Sequence, residues 1–188
     1  MDNDELHQLN QQLAQQLGES LQARQLKLTL AESCTGGMVA QYVTAIAGSS
    51  AWFDCGFVTY SNQSKQAMLG VSDLTLASYG AVSEQIAIEM AQGALQNSNA
   101  HIAGSITGIA GPDGGSLTKP VGTVCFGWAR LDLPMLGLPT LDILTLNMSA
   151  QKMTMHASTK IFVGNRQQVR QQASIALITM LIEQLTAH

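Results

Sequence analysis

Residues 26–37 read Leu26-Lys27-Leu28-Thr29-Leu30-Ala31-Glu32-Ser33-Cys34-Thr35-Gly36-Gly37. Leu26, Leu28 and Leu30 alternate with Lys27 and Thr29, which predicts a strand with two different faces. The strand runs into the Ser33–Gly37 turn, and a helical pattern follows through Met38, Val39, Tyr42, Val43 and Ile46. A hydroxyl in that turn sits at the carboxyl end of a strand, where α/β proteins hold their ligands.

Upstream, Leu6, Leu9, Leu13, Leu17 and Leu21 recur at helical spacing and predict an amphipathic helix with a polar Gln/Asn face. Downstream, residues 47–50 read as a turn, 57–60 as a short strand, and Ser61-Asn62 as the start of a helix carrying Lys65. Ser83, followed by Glu84 and Gln85, opens a helix to about Asn97. Residues 101–107 suit a buried strand and 123–129 another. Between them, residues 108–122 form a loop with two prolines and five glycines, too long for a plain connector. Residues 131–140 are irregular, 141–148 and 153–163 suit a pair of strands, and 166–185 form the closing helix. The alternation predicts a single α/β domain spanning residues 1–188, a mixed sheet with helices on both faces.

Of 188 residues, 46% are hydrophobic and only 12% charged, as in a globular chain with buried strands. The acidic start MDNDEL lacks the basic and apolar regions of a secretory signal, and residues 175–182 are too short to span a bilayer. A soluble protein with no membrane partner is expected. Cys34, Cys55 and Cys125 form no CxxC pair, which fits reduced thiols in a cytoplasm. A net charge of −4 without a basic cluster argues against nucleic acid. No metal is expected, because the four histidines form no HExxH pattern and Asp54 and Asp113 are scattered.

Three segments carry candidate chemistry. In the first, Ser33 could be a nucleophile, with N–H groups around Thr35, Gly36 and Gly37 stabilising negative charge. Ser33 or Thr35 could equally be a helix cap, the commonest job of such residues. Cys34 is a weaker candidate, since a buried thiol is usually inert. In the second segment, Lys65 follows Tyr60 and two serines. It is a solvated surface lysine unless burial or a nearby cation lowers its pKa, in which case it could act as general base. The third is the loop after Thr107, with Gly108 and Gly111, whose exposed N–H groups could cradle phosphate or an oxyanion. It has neither the Walker A ending nor the GxGxxG spacing.

Taken together, AESCTGG, AGSSAWFDCGFVTYSNQSK, YGAVSEQ, GSITGIAGPDGG, KPVGTV and VGNRQQVR resemble the CinA C-terminal domain family in order and spacing, from about Leu26 to the final helix. Active members of that family are nicotinamide-nucleotide amidohydrolases. The resemblance implies a stand-alone, three-layer α/β/α domain, usually a homodimer, that needs no cofactor. It also implies hydrolysis of a nucleotide's carboxamide to acid and ammonia. The family's serine nucleophile maps onto Ser33, its lysine onto Lys65, its tyrosine onto Tyr60 and its glycine-rich loop onto residues 107–115. Arg166, Arg170 and Lys119 are candidates for the substrate phosphate. Two departures are visible: residues 131–160 form a longer stretch than is typical, and Asn165 replaces the aspartate of the usual GDR. The rival reading is a non-catalytic nucleotide- or partner-binding module acting in competence or stress responses.

Overall fold

The alternation at residues 26–32 becomes β1 (Leu28–Glu32), buried along its whole length. The computed structural model describes residues 1–132 and 152–186. β1 pairs in parallel with β2 (Phe53–Val58) on one side and β3 (Ile102–Gly108) on the other. β3 pairs antiparallel with β4 (Thr123–Leu131), and β4 with β5 (Met153–Ile161). The sheet is therefore mixed, in the order β2-β1-β3-β4-β5.

Because strand side chains alternate between faces, β1 feeds two separate cores. Leu28 and Leu30 join Ile106, Phe126 and Trp128 beneath α1 (Asn3–Ala23), α2 (Met38–Thr44) and α6 (Arg166–Thr186). Ala31, Ala103 and Ala129 pack on the other side against Ile86, Met90 and Leu95 of α5 (Glu84–Gln96). On this second side α3 (Asn62–Leu69) and α4 (Asp73–Tyr79) also contact α5. Each fully buried leucine contributes about 1.5–3 kcal/mol. Gly93 of α5 allows a close approach of the two helices, since a Cβ there would fall on the Leu69 carbonyl at the end of α3. That contact seats the helix carrying Lys65.

After β1 the chain passes through α2 to β2 at one edge. It then crosses by α3, α4 and α5 to β3 on the opposite side. β1 is thus the strand at which the direction of winding reverses, and its carboxyl end opens into a crevice.

Two expectations are corrected, the bounds of β2 and of β5, and two features are added. β2 begins at Phe53 and ends at Val58, so Thr59 and Tyr60 lie beyond it. Ser61 caps α3 immediately afterwards, which stops the strand. The short helix α4 was not foreseen, because none of its residues is buried and no apolar stripe marks it. β5 ends at Ile161, not at residue 163. The polar face of α1 is not wholly solvated: Asn10 is buried, and its side chain donates to the carbonyls of Leu6 and Gln171. The strand expected at 141–148 lies outside the described residues.

Candidate active site

Two adjacent side chains at the end of β1 serve opposite layers. The Glu32 carboxylate accepts the N–H groups of Gly37 (3.0 Å), Val39 (3.1 Å) and Ala40 (2.8 Å) at the start of α2. Ser33 faces α3: its Oγ lies 2.9 Å from Lys65 Nζ. Its own N–H donates to the Ile106 carbonyl at 3.0 Å, which carries the β1–β3 ladder one residue past the strand. The Gly36 N–H then closes the turn onto the Ser33 carbonyl at 3.0 Å. Gly36 and Gly37 take φ of +59° and +90°, a left-handed backbone open mainly to glycine. The N–H groups of both glycines are therefore already engaged, one by Ser33 and one by Glu32.

Lys65 is only 2% exposed. Its Nζ also donates to the Thr59 carbonyl at 3.0 Å. Among the described residues it meets no carboxylate, and the one ion pair joins the N-terminal amine to Glu5. Burial disfavours the charged ammonium and holds the Lys65 pKa below the usual lysine value. A neutral amine beside a hydroxyl can take its proton, the arrangement of a Ser–Lys pair. Cys34 has the opposite character. Burial, with the Glu32 charge adding to it, pushes its thiol up to about 12, so it stays protonated and inert.

A second group forms the rim. The Tyr60 hydroxyl accepts from Arg166 Nη2 at 2.7 Å, and Arg166 Nη1 donates to the Gly111 carbonyl at 2.8 Å. Tyr60 is exposed and shares no hydrogen bond with Ser33 or Lys65. One turn along α6, Arg170 Nη2 donates to the Thr35 carbonyl at 2.5 Å. The rim adjoins the turn through Gly36: a Cβ there would lie 3.7 Å from Arg170 Nη2 and 3.9 Å from the Tyr60 ring. Gly111, at φ +83°, has no room for a side chain, since a Cβ would meet Val121 at 2.6 Å. Gly108 lies at the end of β3, opposite Val124.

Other expected residues turn elsewhere. The buried Thr107 hydroxyl donates to the Ala81 carbonyl at 2.7 Å and ties β3 to the segment before α5. Lys119 is bound to the carbonyls of Tyr79 (2.9 Å) and Val82 (2.6 Å), which staples the long loop down and commits its ammonium. Among the described residues, no group of three or more His, Cys, Asp or Glu is placed to hold a metal, and no helix is long and apolar enough to cross a membrane. A cavity of about 650 Å³ runs between α1, α6 and the residues after β5, lined by Leu6, Phe162, Val163 and Ile175, away from Ser33.

Sequence reasoning gave no role to Glu32, to the Thr59 carbonyl or to the Arg170–Thr35 bond. A signal existed for Glu32: an acid that ends a strand just before a helix start can reach that helix's free N–H groups. No local signal links Arg170 to a carbonyl 135 positions away.

The family model described as the CinA C-terminal domain matches residues 10–134. The nicotinamide-nucleotide amidohydrolase PncC of Enterobacter agglomerans is 59% identical over 121 residues, 64% of this chain and 74% of that protein. The protein of the same name from Escherichia coli K12 is 61% identical over 118 residues, 63% of this chain and 72% of that protein. Among solved structures, a competence-damaged protein (CinA) superfamily protein from Klebsiella pneumoniae superposes with a TM-score of 0.80 at 34% identity, covering 95% of this chain and 99% of that one. The matched span exceeds half the sequence, and the chain belongs to the CinA C-terminal domain family.

Proposed function

We propose that this chain is a nicotinamide-nucleotide amidohydrolase, which converts nicotinamide mononucleotide to nicotinate mononucleotide and ammonia by way of Ser33 and Lys65. The observation that carries the reading is the 2.9 Å approach of Ser33 Oγ to a buried lysine amine without a carboxylate partner among the described residues. The PncC proteins, alike over most of this domain, carry the name of the same activity.

Ser33 Oγ attacks the carboxamide carbon while Lys65 Nζ takes the hydroxyl proton. The Thr59 carbonyl holds one amine hydrogen, so the lone pair stays directed at Ser33. When the C–N bond breaks, Lys65 returns the proton to the leaving nitrogen, which departs as ammonia. The neutral amine then deprotonates a water that cleaves the acyl-serine, and the nicotinate product leaves with Ser33 restored. Gly36 and Gly37 keep the turn free of side chains, so the carboxamide can approach Ser33. Arg166 is the anchor for the phosphate: of its five N–H donors two go to Gly111 and Tyr60, which leaves others for an anion.

Ammonia release from nicotinamide mononucleotide by wild type and by Ser33→Ala, with folding followed by circular dichroism, tests the reading. Turnover by wild type and its loss in the folded variant are expected. A wild type that binds the nucleotide without releasing ammonia would point to the binding module, and an active Ser33→Ala would remove the serine from the mechanism.

A further inference from the structure

We propose that Glu32 is a positioning residue for the reaction: its buried carboxylate sets the turn that aims Ser33, beyond capping a helix. The inference rests on Ser33 as nucleophile, and three observations carry it. Glu32 is 1% exposed, and no Lys, Arg or His lies within ion-pair distance of it among the described residues. A bare carboxylate is costly to bury unless its oxygens are hydrogen-bonded. Here the partners are three backbone N–H groups, of Gly37, Val39 and Ala40. Glu32 also adjoins Ser33 in the chain, so the carboxylate and the nucleophile hang from one stretch of backbone. Finally, the Glu32 carbonyl accepts the Thr59 N–H at 2.8 Å. The Thr59 carbonyl in turn accepts from Lys65 Nζ at 3.0 Å. The backbone at position 32 therefore links Ser33 to the residue that orients Lys65, so a shift of the turn held by the carboxylate reaches both members of the pair.

A short α2 of seven residues has little stability of its own to hold that geometry. The carboxylate supplies the constraint through its three N–H bonds, which are stronger than bonds to a neutral acceptor. Glutamine at position 32 cannot reproduce this. It presents one oxygen where the carboxylate presents two, and its amide hydrogens would face the N–H of Ala40 or of Gly37 and Val39. The turn must shift to relieve that clash, and Ser33 Oγ shifts with it. A displacement on the order of 1 Å at a reacting atom costs up to about 100-fold in rate.

The experiment compares Glu32→Gln, Ala40→Pro, Ser33→Ala and Glu89→Gln, assayed on nicotinamide mononucleotide well below each variant's Tm. Ala40→Pro removes one of the three donors at the third position of α2, whose N–H has no partner within the helix. Glu89→Gln is the stability control, because that carboxylate caps α4 through the Ser72 N–H (2.8 Å) and the Thr75 hydroxyl (2.6 Å), outside the site. Expected is a kcat about 10- to 100-fold lower in Glu32→Gln, a smaller loss in Ala40→Pro, and KM within about twofold of wild type in both. The Glu89→Gln variant is to lose Tm while keeping kcat. Folded Glu32→Gln with wild-type kcat would overturn the inference, as would a rise in KM at unchanged kcat. If Glu32→Gln does not fold, Ala40→Pro alone decides, and wild-type kcat there also overturns it. An active Ser33→Ala would instead defeat the underlying mechanism, so the two failures are distinguishable.

Discussion

Replacing Lys65 by methionine keeps the length of a fully buried side chain and deletes its only titrating atom. The structure fixes how wild type and variant must diverge with pH. Lys65 binds a proton in the unfolded chain up to about pH 10.4. In the fold, desolvation lowers that pKa. Between the two values the unfolded state holds one more proton than the native state, so stability rises with pH there and falls as the pH drops through the window. The slope is about 1.4 kcal/mol per pH unit, and Lys65→Met lacks it entirely. Other titrating groups are common to both proteins and cancel in the difference. Within that window, just below the unfolded value, wild type is therefore to gain on the variant as the pH rises. In a chain of this size each kcal/mol gained is about 2–4 °C in Tm. Urea denaturation of both proteins across a pH series reads the difference directly. Parallel curves would mean that Lys65 stays protonated in the fold as it does in the unfolded chain, and the base would have to be sought elsewhere.

Further outcomes follow from the same geometry. The kcat/KM of wild type is to rise with pH along a limb set by Lys65, below the usual lysine value, while Lys65→Met loses about 100- to 10,000-fold. Arg166→Ala removes the guanidinium opposite Tyr60, and its KM for the mononucleotide is to rise about 10- to 100-fold, as loss of a charged hydrogen bond worth about 1.5–3 kcal/mol requires. An unchanged KM would take the phosphate away from this residue. Gly93→Ala drives a methyl onto the Leu69 carbonyl, so a Tm loss of several degrees and a reduced kcat are expected together, because α3 carries Lys65. A lowered Tm with full kcat would show that α3 holds its place without that contact.

What could be read from sequence tracks how strongly a segment's environment is polarised. α1 was legible because its leucines face the core at helical spacing, and β3 because an inner strand buried on both faces carries small and apolar residues and no charge. β2 was misplaced because it is an edge strand with every residue at least partly exposed, so no alternation marks Phe53-Asp54-Cys55-Gly56. α4 left no trace, for it buries nothing. At the site, Ser33 and Lys65 were candidates from their local setting, and the resemblance to a family pattern added a role for Tyr60. Their grouping was not readable, since it depends on α3 lying across the sheet from α2. The Ser33–Lys65 pair falls on one side of β1, while Arg166 holds Tyr60 at the rim. Lys119 shows the reverse failure: a cation beside a glycine-rich loop suggested phosphate, but its ammonium closes two backbone carbonyls.

The reversal of winding at β1 also governs when the site can exist during synthesis. Ser33 and Lys65 leave the ribosome early, 32 positions apart. Yet the Ser33 backbone is tethered to Ile106, and the turn and rim are clamped by Arg170 and Arg166 across 135 and 106 positions. Contacts of such range form late, because the intervening chain must first be ordered. A nascent chain that has released Ser33 and Lys65 is still without α6, so the turn and the rim are not yet clamped. Fragments that stop short of α6 are therefore to hold the Ser33 turn more loosely than the full chain, a consequence of topology alone.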